Sequence, residues 1–249
     1  MKKFVKVTAL LCALVLSLGL FAGCGKTEGT LVMGTNAAFP PYEMTDGNGD
    51  IIGIDAEIAA AIAKKLNMDL EIKDMEFDSL VGAVQTGAID VALAGMTVNE
   101  ERLEKVNFST SYAKGVQVVI VKEDSDIKTI DDLDGKTIGV QSGTTGDIYC
   151  TDAYGQEHVK QYDNGGKAVE ALKNGQVDCV VIDNEPAKNF VKANAGLTIL
   201  ETSYADEDYA IAISKDNAEL LEKINKALDE LTKDGTIAKI IEKYIPAED

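Results

Sequence analysis

The chain has 249 residues and carries 24 lysines and arginines against 42 aspartates and glutamates, a formal net charge of −18. This acidic balance argues against nucleic acid as a partner, because nucleic-acid binding needs basic patches. The single histidine excludes a histidine-based metal cluster or triad, and no C-x-x-C pair, phosphate loop or nucleophile elbow is present. We therefore expect no cofactor and no bound metal ion.

The N-terminus has the pattern of an export signal. Three lysines precede an uncharged run from Val7 to Gly23, which is shorter than the roughly 20 apolar residues that a membrane-spanning helix needs. The run ends at Cys24 and resembles a lipobox, although phenylalanine stands where that pattern prefers leucine. We predict a signal peptide at 1–23 and a lipidated cysteine with a polar tether at 24–30. An ordinary signal with a chance cysteine, or an uncleaved anchor, is the alternative.

Residues 31–94 alternate short apolar strands with amphipathic helices. The pattern predicts strands at 31–34, 70–72 and 90–94, helices at 57–66 and 77–86, and a turn at 46–49. The turn also matches the start of a calcium-binding loop, with Glu57 at its twelfth position. Ile51 stands where that loop needs glycine, so calcium is a minor alternative.

A second block, residues 137–183, has the same rhythm. It predicts strands at 137–140 and 178–183, a polar turn at 143–146, and helices that continue through Tyr149 and over 165–174. Strands that alternate with helices indicate mainly parallel sheets with helices on both faces. The alternation therefore predicts an α/β protein.

The segments between and after these blocks connect them. Residues 116–121 and 209–213 are mostly apolar and β-branched, and we interpret them as two strands that cross between two lobes. The last segment has apolar residues at helical spacing and a stop at Gly235, which predicts a helix that returns to the first lobe. Cys150 and Cys179 are expected to be free buried thiols, with a disulfide between them as the alternative.

Arg102 is the only arginine in the chain. An arginine presents a planar, permanently charged fork that can grip a carboxylate with two hydrogen bonds. It follows the predicted strand at 90–94, at the edge where open α/β sheets place their ligands. The alternative is a surface ion pair with a neighbouring glutamate.

Other candidate residues follow the remaining strands. Asp183 ends a strand of the second block and could hold an ammonium group, or cap a helix. Thr144 and Thr145 could bind a carboxylate at a helix N-terminus, or serve as a cap. Asn36 and the aromatic residue Phe39 lie just after the first strand, where they could wall a cavity or belong to the core.

At these residues the sequence resembles the polar amino-acid-binding proteins of ABC importers, solute-binding family 3. The resemblance covers nearly all of residues 29 to 246. The matching stretches are 34–43 (GTNAAFPPYE), 53–55 (GID), 94–97 (AGMT), 101–102 (ER), 108–109 (FS), 143–145 (GTT), 178–183 (DCVVID) and 234–236 (DGT).

The resemblance implies a type II periplasmic-binding-protein fold. Two lobes, each a mixed, mainly parallel sheet flanked by helices, would be joined by two crossing hinge strands. Lobe 1 would comprise 31–114 plus 208–249, and lobe 2 would comprise 115–207. An amino acid would bind between the lobes and the closed form would deliver it to a membrane permease, without catalysis. We expect a monomer, anchored by lipid to the outer face of the cytoplasmic membrane.

The resemblance also implies roles for single residues. Arg102 would bind the ligand α-carboxylate, assisted by Thr97 and by the backbone amides of Gly95 and Thr145. The α-ammonium group of the ligand would bind to Asp183 and to the backbone carbonyl of Ala94, and Thr97 could share it.

The ligand side chain would lie between Phe39 and Phe77. Asn36, Glu43 and Gln141 occupy positions that vary with the ligand in this family. If Glu43 faces the cleft, it favours a basic or polar neutral side chain, with arginine or lysine ahead of glutamine or cystine, and it excludes aspartate and glutamate. If it faces solvent, the basic preference disappears.

Two rival functions use the same fold. An amino-acid dehydratase-like enzyme would need a general acid or base in the cleft, a role open to Asp183 or Glu43. A ligand-sensing receptor would need to act through a partner protein.

Overall fold

The computed structural model describes residues 28–201 and 203–246. The predicted signal peptide and Cys24 lie outside these residues. Within the described ranges, no helix is both long and apolar enough to cross a membrane.

The strands are numbered along the chain. They are β1 Thr30–Thr35, β2 Ala38–Phe39, β3 Glu43–Thr45, β4 Ile51–Ile52, β5 Asp69–Asp74, β6 Val91–Ala92, β7 Val106–Phe108, β8 Ala113–Lys122, β9 Ile138–Gln141, β10 Val159–Tyr162, β11 Cys179–Asp183, β12 Leu197–Ile199, β13 Ala205–Tyr209 and β14 Ala212–Ser214.

The α-helices follow the same numbering. They are α1 Ile54–Lys65, α2 Leu80–Thr86, α3 Glu100–Lys105, α4 Thr145–Tyr154, α5 Gly165–Lys173, α6 Asn184–Ala193, α7 Ala218–Lys233 and α8 Thr236–Tyr244, with short 3-10 helices at Phe77–Ser79, Ile130–Leu133 and Gln156–His158.

The strands form two main sheets. The first, which with its helices we name lobe 1, has the order β5-β1-β6-β14-β7. β1 is parallel to β5 and β6, whereas β14 is antiparallel to both its neighbours. The second sheet, in lobe 2, has the order β10-β9-β11-β8-β12, and β13 also pairs with β8. A small sheet of β2, β3 and β4 adjoins the cleft side of lobe 1.

Buried apolar side chains hold helices against both sheets. In lobe 1, α1 contributes Ile54, Ile58 and Ile62, each at most 1% exposed, and contacts α7 and α8. In lobe 2, every residue of β11 is buried. This two-lobed mixed α/β architecture is the one that the sequence predicts.

The chain crosses between the sheets twice. It enters the second sheet at Ala113, the first residue of β8, and leaves it at Tyr209, the last residue of β13. The predicted lobe boundaries, at 114/115 and 207/208, fall within these strands, and the exact division into lobes stays a prediction. The predicted crossing of 209–213 between the lobes is confirmed, but its prediction as a single strand is wrong, because residues 210 and 211 separate β13 from β14. Ala210 N donates to Met96 O and the next residue accepts from Ser109, so the chain changes partners here.

Several element bounds differ from prediction. α1 begins at Ile54 rather than at residue 57, because the backbone N–H groups of its first residues donate to Pro41 O and Tyr42 O. Gly53, with φ of 130°, makes this approach possible, since a Cβ there would lie 2.2 Å from Tyr42 O. β6 covers only two residues of the predicted strand 90–94. α3, α6, α8 and the small sheet were not predicted.

Candidate functional site

A small cavity lies between the two lobes. Its wall contains every residue predicted to contact a ligand, together with Thr144. The lining residues are Asn36, Phe39, Glu43, Phe77, Ala94, Gly95, Thr97, Arg102, Gln141, Thr144, Thr145 and Asp183. The carboxyl ends of β1, β6, β9 and β11 lead into this wall, because the parallel strands of both sheets end at the cleft.

Arg102 lies at one end of the cavity and is 6% exposed. It sits in α3, whose first turn is capped by the Asn99 side chain accepting from Arg102 N at 2.8 Å. Its Nη1 donates to Thr97 O at 2.7 Å and its Nη2 to Gly143 O, in lobe 2, at 3.0 Å. The predicted alternative, a surface ion pair, is therefore wrong. The guanidinium stacks on Phe77, 5.2 Å from the ring centre.

Asp183 faces the cavity from lobe 2 and is buried. It stands at the N-cap of α6, but its side chain makes no capping bond. Its carboxylate instead accepts from Gln117 Nε2 at 2.8 Å and from the Tyr209 hydroxyl. Burial, and then the neighbouring Glu207 carboxylate, raise its pKa well above the ordinary value. An ammonium group would relieve this repulsion.

Glu207 joins the two lobes through one oxygen. Its Oε2 accepts from Thr97 Oγ1 at 2.9 Å and from Gln117 Nε2 at 3.0 Å. Both bonds are buried, so the Thr97 hydroxyl is already oriented by a carboxylate behind the cavity wall.

Thr144 and Thr145 begin α4 at the cavity. The Thr144 side chain accepts from Asp147 N at 3.3 Å and donates to Gln141 O at 2.8 Å, so the capping role predicted as its alternative is present. Thr145 is the first helical residue and is buried. Its amide therefore belongs to the N-terminal turn, which favours anions.

Phe39 and Phe77 both line the cavity, and the sandwich of a ligand side chain between them stays a prediction. Phe77 is held by the Arg102 guanidinium, and Phe39 packs against Gly95, where a Cβ would lie 2.7 Å from Phe39 Cε1. The Gly95 N–H donates to Asp55 Oδ2 at 2.8 Å. The Gly95 amide is thus engaged inside the protein, which corrects its predicted role toward a ligand carboxylate.

The lobes contact each other around the cavity. Gln141 Nε2 of lobe 2 donates to Asn36 Oδ1 of lobe 1 at 2.9 Å, and Asn36 Nδ2 donates to Met75 O at 2.9 Å. At the rim, Ser142 Oγ lies 3.1 Å from Asp78 Oδ2. Together with the Arg102–Gly143 bond, these contacts define a closed arrangement of the two lobes.

Glu43 is fully buried, so the alternative that it faces solvent is wrong. Neither of its oxygens has a hydrogen-bond partner among the described protein groups. The acid with the largest effect on the Glu43 carboxyl group is Asp55, whose Oδ2 accepts from the Tyr112 hydroxyl at 2.8 Å. Burial, and then the charge of Asp55, raise the pKa of Glu43 well above its ordinary value, and burial raises the pKa of Asp55 to about 6.

The cavity and the layer behind it are strongly acidic. Arg102 is the only cationic side chain in the lining. The buried carboxyl groups of the lining are those of Glu43 and Asp183, and the buried carboxyl groups of Asp55 and Glu207 lie behind it. A negative environment of this kind stabilises cations and repels anionic side chains.

Several functional residues escaped sequence reasoning. Asp55, Gln117, Glu207 and Tyr209 shape the polar network, and two of them carried a signal: Asp55 lies in the matching stretch 53–55, and Gln117 stands out by its position. It interrupts the otherwise apolar run 116–121, and a polar residue inside a buried strand needs a hydrogen-bond partner.

The calcium-binding loop considered from the sequence can be compared with the contacts of Asp46 and Glu57. Asp46 accepts from the backbone of Asn48 and Asp50, and Glu57 contacts Lys243 and Tyr244, each at 2.5 Å. The calcium alternative is therefore wrong, and no metal-ligand cluster occurs among residues 28–201 and 203–246.

Cys150 and Cys179 are free and buried, as predicted, so the alternative of a disulfide between them is wrong. Burial raises the pKa of the Cys150 thiol to about 12, so this thiol is inert.

Comparisons with known proteins agree with this geometry. Residues 31–247 match the family model described as "Bacterial extracellular solute-binding proteins, family 3". The chain is 34% identical over 218 residues to "ABC transporter arginine-binding protein 1" of Escherichia coli K12, covering 86% of this chain and 89% of the relative. It is 30% identical over 226 residues to the L-cystine-binding protein TcyJ of the same strain, covering 90% and 85%.

A solved structure is similar over the same range. "An ancestral arginine-binding protein bound to glutamine" superposes with a TM-score of 0.84 at 46% identity, covering 89% of this chain and 100% of the other.

Proposed function

Because the chain belongs to the bacterial extracellular solute-binding proteins of family 3, we propose that it is the extracytoplasmic substrate-binding component of an ABC transporter for a polar amino acid. The observation that carries the proposal is the placement of Arg102 and Asp183 in one closed cavity, although they come from different lobes. Together they complement the two charges that all free amino acids share, a carboxylate and an ammonium group.

Arg102 would hold the ligand carboxylate. Two of its nitrogens already donate to carbonyl oxygens, one of them in lobe 2, and Phe77 fixes the plane of the guanidinium. A bound carboxylate would replace Gly143 O as the acceptor of the Arg102 Nη2 hydrogen bond. It would then lie near the first turn of α4 at Thr145. Charge-assisted bonds of this kind are about twice as strong as neutral ones.

Asp183 would hold the ligand ammonium group, with the carbonyl of Ala94 and the hydroxyl of Thr97 as further partners. Gln117 and Tyr209 orient the Asp183 carboxylate from behind. An ammonium ion beside it lowers the free energy of the ionised form and offsets the repulsion from Glu207.

Closure couples binding to transport. Neither lobe holds both charged groups, so a ligand completes its contacts only when the lobes close around it, and closure reports occupancy to the permease. Micromolar capture needs about 8 kcal/mol of net binding free energy. No covalent bond has to change in this cycle.

The ligand side chain would extend along Phe39 toward Glu43, Asn36 and Gln141. A cationic guanidinium or ammonium group suits the acidic wall, and the amides of Asn36 and Gln141 suit a neutral amide as well. Relatives named for arginine and for cystine, and the arginine-binding protein solved with glutamine, support a basic or polar neutral ligand. We favour arginine or lysine over glutamine or cystine.

Binding without catalysis is supported by the relatives, which are named as binding proteins. The alternative of a dehydratase-like enzyme predicts a new product when the protein is incubated with amino acids, and mass spectrometry would detect it. The alternative of a ligand-sensing protein that acts through a receptor partner would need to capture an amino acid in the same cavity.

For the cellular context, we propose export by the signal at 1–23 and lipid attachment at Cys24. A monomer anchored to the outer face of the cytoplasmic membrane would then reach its permease by diffusion in two dimensions. The export signal and the lipid attachment both lie in a segment outside the described residues, and both proposals rest on its sequence pattern.

A thermal-shift screen of the twenty amino acids, ornithine and cystine tests the function. A ligand at one hundred times its Kd stabilises the native state by about 2.7 kcal/mol, which is readily seen. We expect stabilisation by arginine or another polar ligand and none by glutamate. Decarboxylated arginine is the matched control, because it retains the guanidinium but lacks the carboxylate for Arg102. The absence of stabilisation by every amino acid would contradict the proposal.

A further inference from the structure

Glu43 and Asp55 form a pair within lobe 1 alone. Glu43 opens β3 and Asp55 lies in the first turn of α1. The backbone fixes their approach, because Asp55 N donates to Tyr42 O at 2.9 Å and Ile54 N donates to Pro41 O at 3.1 Å. The pair therefore persists whether the lobes are open or closed.

The pair lacks donors on the side where the two carboxyl groups meet. Asp55 Oδ2 is satisfied by Gly95 N and the Tyr112 hydroxyl, each at 2.8 Å. Asp55 Oδ1 and both oxygens of Glu43 have no partner among the described protein groups, and both side chains are 0% exposed. Two buried carboxylates side by side repel each other, so a proton shared between them satisfies the site when no cation is present.

The charged and titratable groups around Glu43 offer no cation. Besides Asp55, the acids whose charge raises the pKa of Glu43 are Asp183 of β11 and Asp74 of β5. The phenols of Tyr42 and Tyr112 lie close enough for the Glu43 charge to raise their pKa. Arg102 shares the cavity, but its guanidinium donates to Thr97 O and Gly143 O. The cation that could replace the shared proton must therefore come from a ligand.

We propose that the Glu43–Asp55 pair exchanges its proton for the cationic side chain of a bound amino acid, so that uptake of a basic ligand releases a proton and uptake of a neutral one does not. The proposal rests on the proposed function. On binding, the guanidinium keeps its charge, the O–H bond of the shared proton breaks, and the proton passes to solvent or buffer. Asp55 acts as a positioning residue, which sets the protonation of Glu43 without touching the ligand.

The exchange predicts the direction in which the affinity for arginine changes with pH. A proton held by the empty pair agrees with the direction of the pKa shift of Glu43, which burial raises well above its ordinary value. Release of one proton makes the affinity for arginine rise about tenfold per pH unit, until the pH exceeds the pKa of the empty pair. Glutamine retains the proton, so its affinity stays flat over the same range. The protein would therefore favour basic over neutral ligands more strongly as the pH rises.

Calorimetry with the purified protein measures this exchange directly. Arginine and glutamine are titrated near pH 6.5 in two buffers that differ in ionisation enthalpy, and the difference in heat gives the number of protons released. We expect about one proton per arginine and about none per glutamine. Equal proton counts for the two ligands would overturn the exchange while leaving the proposed function intact. Failure of arginine to bind would also overturn it, and failure of every amino acid in the thermal-shift screen would overturn both proposals.

Two variants separate the pair from general acidity. Asp55→Asn keeps an oxygen for Gly95 and Tyr112 and turns an N–H donor toward Glu43, which stabilises the Glu43 carboxylate. We expect proton release by arginine to fall close to zero and its affinity to become flat with pH. Asp74→Asn is the matched control, because it removes a nearby acid outside the pair, and there the release should remain about one. Wild-type proton release in Asp55→Asn would refute the role of the pair.

Discussion

Arg102→Lys is the substitution with the clearest expected effect on binding. It retains the positive charge at a site that is 6% exposed, but it replaces a planar fork by a single ammonium group. In the structure the fork donates at 2.7 Å to Thr97 O and at 3.0 Å to Gly143 O, and its face lies 5.2 Å from the Phe77 ring centre. A lysine can reproduce one of these donations and not the stacked geometry.

The expected loss follows from these contacts. One hydrogen bond from a charged group contributes about 1.5 to 3 kcal/mol, and stacking of a cation on an aromatic ring about 0.5 to 1 kcal/mol. Loss of one bond to the ligand carboxylate should thus cost about 2 kcal/mol, which raises Kd roughly 30-fold. Stability without ligand should change little, because the ammonium group can still donate to Thr97 O.

Isothermal titration with the ligand found in the screen measures this change. Lys105→Arg is the matched control, because Lys105 belongs to the same helix and forms an exposed pair with Glu101 at 2.7 Å. Exposed pairs contribute little, so the control should bind as the wild type does. If Arg102→Lys binds within twofold of the wild type, Arg102 does not grip the ligand, and the assignment of its role is refuted.

Three further predictions follow from the site and the N-terminus. Asp183→Asn should weaken binding by about 2 kcal/mol or more in the same titration, because the ammonium group loses its carboxylate; unchanged affinity would place that group elsewhere. Cys24→Ser should move the protein from the membrane fraction to the soluble fraction, and persistence in the membrane would contradict the lipid anchor. Glutamate should bind at least about a hundredfold more weakly than arginine, because Glu43 repels its side chain; tight glutamate binding would refute the charge selection.

The regular elements were the most predictable part of the fold. Strong periodicity gave β1, β5, β9, β11 and most of α7, where local pattern and burial agree. The missing elements depend on tertiary contacts. α3 has six residues, which is too short for periodicity to show, and the β2–β3–β4 sheet consists of strands of two or three residues.

The site was predicted less evenly. Arg102 stood out because it is unique in the sequence, and the residues around it followed from the resemblance to a family. The roles of the layer behind the cavity did not, since the stretch 53–55 assigned no role to Asp55, and Glu207 is an ordinary acid in a chain with 42 aspartates and glutamates. Only the fold shows that they are buried beside other carboxyl groups, which changes their chemistry. The crossing of the run 209–213 between the lobes was predicted, because the run is apolar and follows the second block. Its division into two strands was not, because the apolar pattern does not reveal that residues 210 and 211 belong to neither sheet.

A crystal structure of the protein with bound arginine tests the central claim most directly. The account predicts one ligand in the cavity between the lobes, with its carboxylate on the Arg102 guanidinium, its ammonium group within hydrogen-bond distance of Asp183, and its side chain directed to Glu43. A ligand bound outside this cavity, or bound with its carboxylate directed away from Arg102, would contradict the account.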